Sequence, residues 1–124
     1  MASVMNRNGK ENVVLRLPNS QYARIQPEKL TNYLLSTEHR DGRSKSKFFL
    51  RFGFTAERWH DFADALLAHG ANNEVAEIEE TQYGIVYCMN GVIETPDGRN
   101  PYIRTVWQID HGTDYPKFIT AYPA

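Results

Sequence analysis

Near Asn73 the apolar residues of this chain change their period, and that change limits what it can fold into more than any other feature. Trp59, Phe62, Ala63, Leu66 and Leu67 fall at i, i+3, i+4, i+7 and i+8, which is one face of an α-helix. Thr55 reads as the N-cap of that helix and Gly70 as its stop. Beyond "ANN", Val75, Glu77 and Glu79 alternate with Ala76, Ile78 and Glu80, and residues 83–93 run extended through Ile85, Val86 and Tyr87. A period of two means strands with two different faces. "TPDGRN" is a turn, and residues 102–110 and 117–122 supply two further strands joined around "HGTD".

Ahead of Trp59 the helical pattern is shorter. Pro27 suits the first position of a helix carrying Leu30, Tyr33 and Leu34. A second helix runs from Ser44 to Phe52, and Gly53 ends it. "VVLRL" (Val13 to Leu17) has the look of a short strand, while residues 1–12, "MASVMNRNGKEN", show no periodicity and read as a flexible leader before a single domain, 13–124. Helices first and strands afterwards predict an α+β fold, with N-terminal helices packed on a four-stranded antiparallel β-meander.

A chain of 124 residues, 41% hydrophobic, has enough apolar surface for one core and not for two. Its net charge of −1 hides a dipole: residues 1–60 carry 11 Lys/Arg against 5 Asp/Glu, and residues 61–124 carry 3 against 10. A basic site in the first half, or an acidic face offered to a basic partner, would each produce that asymmetry. The single cysteine, Cys88, excludes an internal disulfide and sits in a strand, where burial is its expected role. Residues 1–12 hold no apolar segment, so neither a signal peptide nor a membrane span is expected, and the chain reads as soluble and cytoplasmic. His39, His60, His69 and His111 are scattered without metal-ligand spacing, and no phosphate-loop or dinucleotide motif is present, so no metal and no cofactor is expected. His60 and His69 read as surface or core-edge residues and His111 as exposed.

The densest chemistry lies between Glu38 and Phe54, "EHRDGRSKSKFFLRFGF". At 100° per residue Lys45 shares a stripe with Phe48, Phe49 and Phe52, while Arg43, Lys47 and Arg51 point the other way. Cations at a helix N-terminus oppose the macrodipole, an arrangement that makes electrostatic sense when an anion such as phosphate binds there; a solvated basic face is the plainer alternative. His39 precedes this helix as a candidate general acid or base. In the strand "YIRTVWQID", Arg104 is a cation among sheet-centre residues and calls for a carboxylate or an anion. Thr120 and Tyr122 share one face of the last strand. Whether Arg104 joins them depends on the loop, since an odd loop puts them on one face and an even loop on opposite faces. The acidic run Glu77 to Glu80 reads as a solvated strand face or a partner surface.

"QPEKLTNYLLSTEHRDGRSKSKFF", "IRTVW" and "FITAYP" resemble the helical part, central strand and closing strand of a small bacterial domain family. That family resembles the toxin ribonucleases of the barnase–EndoU–colicin–RelE superfamily. The resemblance covers about residues 18–123 and implies a metal-independent endoribonuclease that acts through 2′-OH attack on phosphate, together with a neutralising antitoxin or immunity protein. On this sequence it implies His39 or Lys45 as base or acid, and Lys45 and Arg104 as phosphate ligands. Thr120 and Tyr122 would orient the phosphate, Arg43 and Lys47 would bind substrate, and Tyr122, Tyr102 and Trp107 would stack bases. A non-catalytic protein-interaction or anion-binding domain of the same fold is the alternative.

Overall fold

The computed structural model describes residues 2–5, 11–35 and 43–124, with side chains from 14 and from 47 onwards in the last two segments. His39 therefore lies outside the described residues, as do the side chains of Arg43 and Lys45. Strands β1 (Ala2–Met5) and β2 (Glu11–Val14) form a small antiparallel ladder. The second strand thus starts and ends earlier than the predicted Val13 to Leu17. Leu17 lies beyond it, in the core.

A 3₁₀ turn at Ser20–Tyr22 leads to α1, which opens as Pro27–Lys29 with Pro27 in the first turn and continues as a π-helical turn, Leu30–Leu34. Leu30 and Leu34 are fully buried, as their spacing requires. Helix α2 (Arg43–Arg51) buries Phe49 and leaves Lys47 in solvent. Gly53 follows at φ 102°, a left-handed conformation suited to glycine.

Helix α3 (Trp59–Asn72) buries Phe62, Ala63 and Leu66, the predicted apolar stripe. Both of its predicted ends move. Thr55 does accept a bond from the Arg58 amide at 3.2 Å, but it closes a turn ahead of the helix, which begins at Trp59. Gly70 does not stop the helix. It lies inside and is buried, because the Trp107 indole sits where a side chain would be: a Cβ built at Gly70 would lie 2.7 Å from Cε2.

The sheet runs β3 (Val75–Glu80), β4 (Gly84–Val92), β5 (Tyr102–Asp110) and β6 (Lys117–Pro123), each antiparallel to the next in chain order. The fold is the expected α+β arrangement, with the helices ahead of a four-stranded antiparallel meander. Helices cover one sheet face, where Met89, Ile93, Ile103, Trp107, Phe118 and Ala121 join Phe49, Phe62 and Leu66 in one core. Two bulges set the faces. Ala76 is the extra residue of β3, between Val75 (opposite Met89) and Glu77 (opposite Cys88), so Val75 turns to the core while Glu77 and Glu79 stay on the open face. Ile119 is the extra residue of β6, between Phe118 (opposite Trp107) and Thr120 (opposite Val106). Its carbonyl accepts from Lys29 Nζ at 3.1 Å.

Candidate functional site

Arg104 stands near the middle of the open sheet face. The pairing sets Arg104 opposite Tyr122 on one side and Asn90 on the other, with Val106 opposite Thr120. Arg104, Thr120 and Tyr122 therefore share a face. The six-residue connection His111–Pro116 would by itself have placed them apart; the bulge at Ile119 restores the parity. Arg104 Nε donates to Asn90 Oδ1 at 2.8 Å, and its Nη1 lies 3.3 Å from Glu77 Oε1. Tyr122 is a further hydrogen-bond partner. Partial burial opposes the charge on Arg104, but Tyr122 and Glu77 outweigh it and raise the pKa above the ordinary arginine value. The Arg104 side chain keeps 20% of its surface open and that of Glu77 66%, so the pair faces solvent. A guanidinium has five N–H donors, more than these three partners take.

Cys88 lies in the same open row, half-buried, opposite Glu77 and Val106. Burial raises its thiol pKa, Arg104 opposes that, and Glu77 and Glu79 reinforce it, so the thiol stays protonated at neutral pH. Tyr102, two residues before Arg104 on the same face, is 56% exposed. Trp107 is not available for base stacking: it is fully buried on the helical face. Helix α2 packs on that same helical face through Phe49. Sequence reasoning missed Asn90 and the pairing role of Glu77, because only the β3–β4–β5 register brings them to Arg104.

The other correction concerns His69, expected at the surface or core edge and found 3% exposed. Its Nε2 lies 3.0 Å from the Gly91 carbonyl, which can only accept, so Nε2 carries the proton. Nδ1 then accepts from the Thr105 hydroxyl at 2.9 Å, and that hydroxyl accepts from Trp107 Nε1 at 2.9 Å. Desolvation lowers the His69 pKa, while bonds to the Gly91 and Ile103 backbone pull the other way. His69 is thus a neutral structural pin between α3 and the sheet. Among the described residues no three His, Cys, Asp or Glu side chains converge as metal ligands, and no helix is long and apolar enough to cross a membrane.

An α+β domain with one sheet face left open around a paired arginine is the class that the fold and site define. The chain belongs to a family described as a domain of unknown function (DUF6883), whose model matches residues 16–124. No curated protein matches the sequence. Among solved structures, a chain of a contact-dependent growth inhibition toxin–immunity protein complex from Klebsiella pneumoniae 342 shares the fold. It superposes with a TM-score of 0.62 at 16% identity, over 81% of this chain and 98% of that one.

Proposed function

We propose that the domain is a toxin-type endoribonuclease that cuts RNA at the open sheet face without a metal, as the likeness to the barnase–EndoU–colicin–RelE superfamily implies. The observation that supports it best is the gathering of Arg104, Thr120 and Tyr122 on one half-buried face beside the Glu77 carboxylate. In this reading the 2′-OH loses its proton to a base as its oxygen attacks the adjacent phosphorus. The P–O5′ bond breaks, and an acid protonates the leaving oxygen, giving a 2′,3′-cyclic phosphate. Glu77 is the carboxylate beside the phosphate position, and His39 and Lys45 are the proposed acid and base from the helical part. Arg104 carries the developing phosphorane charge, which positioned donors stabilise more than the ground state. Thr120 and Tyr122 orient the phosphate, and Tyr102 offers an exposed ring for a base; Arg43 and Lys47 stand on α2, which packs on the helical face, and would bind substrate only where the RNA passes round the sheet.

The test is total RNA incubated with the purified chain in EDTA, with product ends analysed for cyclic phosphate. Arg104→Met is expected to slow cleavage by about 10²-fold or more. No cleavage by the folded chain overturns the reading.

A second reading, a non-catalytic protein-interaction domain, is favoured by a different observation. Arg104 is already neutralised by Glu77, and β3 is exposed along nearly its whole length with carboxylates at 77, 79 and 80. The solved relative comes from a complex of a toxin with its immunity protein. A protein partner is part of either reading, a neutralising one in the first.

A further inference from the structure

The two edges of the sheet are finished differently. At β6 the edge is covered: the Arg24 amide donates to the Pro116 carbonyl and the Phe118 amide to the Arg24 carbonyl, both at 2.9 Å, and Lys29 holds the Ile119 carbonyl. At β3 the cover ends early. The Val75 amide donates to Leu15, and beyond it the strand is exposed through Glu80.

The direction of the backbone groups follows from the hairpin. The Thr81 amide donates to the Gly84 carbonyl at 2.8 Å, so residues 81 and 84 form a hydrogen-bonded pair. Such pairs alternate along an antiparallel ladder, which makes Glu79–Val86 and Glu77–Cys88 the next ones. The N–H and C=O of Ile78 and Glu80 therefore point away from the sheet, and among the described residues no backbone group meets them. Ile78, in the middle, leaves 49% of its surface in water. Carboxylates alone on an edge would serve to repel other strands. An exposed isoleucine at the centre of that edge, on a sheet whose other edge is covered, does not fit a purely repulsive role.

We propose that β3 is a docking edge for an extended basic segment of a partner protein, which adds to the sheet as a fifth strand. Main-chain bonds to Ile78 and Glu80 would hold it, as in other strand-addition complexes. Lysine or arginine at alternate positions meets Glu77 and Glu79, and an apolar residue between them covers Ile78. A second copy of this chain fits poorly. Antiparallel β3–β3 pairing centred on Ile78 sets Glu77 against Glu79 twice, and pairing centred on Glu79 sets it against itself, so like charges face each other in both registers. The carboxylates thus select against self-pairing and in favour of a cationic strand. The inference does not require RNA cleavage, since it rests on the outward backbone groups of β3, although Glu77 is shared with the open face.

A synthetic octapeptide of alternating lysine and valine, titrated to millimolar concentration and followed by NMR, tests it. A glutamate–valine peptide serves as control. The expected result is slowed amide exchange at Ile78 and Glu80, with affinity at least tenfold above that of the control. Glu79→Lys should weaken binding at least tenfold. Ile78→Pro removes an outward N–H without breaking the β3–β4 ladder; it should abolish binding while the β4–β5 amides stay protected. No binding, binding without protection at 78 and 80, or equal binding of both peptides overturns the proposal. Concentration-dependent dimerisation abolished by Ile78→Pro overturns it in favour of a second copy.

Discussion

Thr105 and Arg104 are neighbours on β5 that point to opposite faces of the sheet, and each face solves its polar problem in its own way. On the helical side His69, Thr105 and Trp107 form a closed chain of neutral hydrogen bonds in which each donor has an acceptor. On the open side Arg104 keeps its charge, held by Asn90, Glu77 and Tyr122 at the border of solvent. Full burial makes an ion costly and favours a neutral imidazole, whereas partial exposure leaves a cation hydrated enough to persist. The covered face uses polarity to fix α3 on the sheet, and the open face keeps it where a ligand can reach.

Substitutions should separate the two faces by size of effect. Trp107→Ala removes a fully buried ring and its bond to Thr105, and should cost about 3–5 kcal/mol in urea denaturation. Gly70→Ala forces the indole aside and should cost about 1–3 kcal/mol despite alanine's higher helix propensity; a gain in stability would show that Trp107 does not seat on α3. Thr105→Val leaves His69 Nδ1 and Trp107 Nε1 without their partner, at a cost of about 2–6 kcal/mol, since each stranded group costs roughly 1–3.

Acidity acts on the same face. The His69 pKa is lowered below its ordinary 6.5 by burial, so the unfolded chain takes up a proton near 6.5 while the folded chain still resists. The His69 contribution to stability is therefore complete above that value and falls as the pH drops towards the folded-state pKa. Urea midpoints at pH 7.5 and 5.5 should show a fall that is smaller in His69→Gln. Ring ¹⁵N shifts should place the proton on Nε2. The smallest stability effect belongs to the open face: Arg104→Met should change stability by under about 1 kcal/mol, because its ion pair with Glu77 is solvent-facing. A large loss of stability there would make Arg104 a structural residue and weaken the case for a site.

Element types were legible because they depend on local spacing: the 3.6-residue stripe from Trp59 to Leu67 and the alternation after Asn73 name a helix and strands without reference to anything distant. The importance of Arg104 was legible too, because a cation in an apolar strand needs a partner wherever the strand goes. Its partners were not, since Glu77 and Asn90 reach it only through pairings of residues 14 to 27 positions apart. His69 falls on the apolar stripe, three residues after Leu66 and seven after Phe62, but spacing cannot say that an imidazole there is buried; Thr105 and Gly91, brought opposite it by the sheet, decide that.

Sequence by itself therefore determined the order and kind of the elements from Pro27 onwards, the single core and the charge division between the two halves, all of which follow from composition and near-neighbour periodicity; the strand Ala2–Met5, in residues read as a leader without periodicity, was not among them. Tertiary structure alone decided the faces. One extra residue at Ala76 turns Val75 inward and Glu77 outward, and another at Ile119 brings Thr120 and Tyr122 to the side of Arg104. A side-chain period of two makes every face depend on a one-residue shift, and such a shift is fixed by packing between strands and not by any pattern within one.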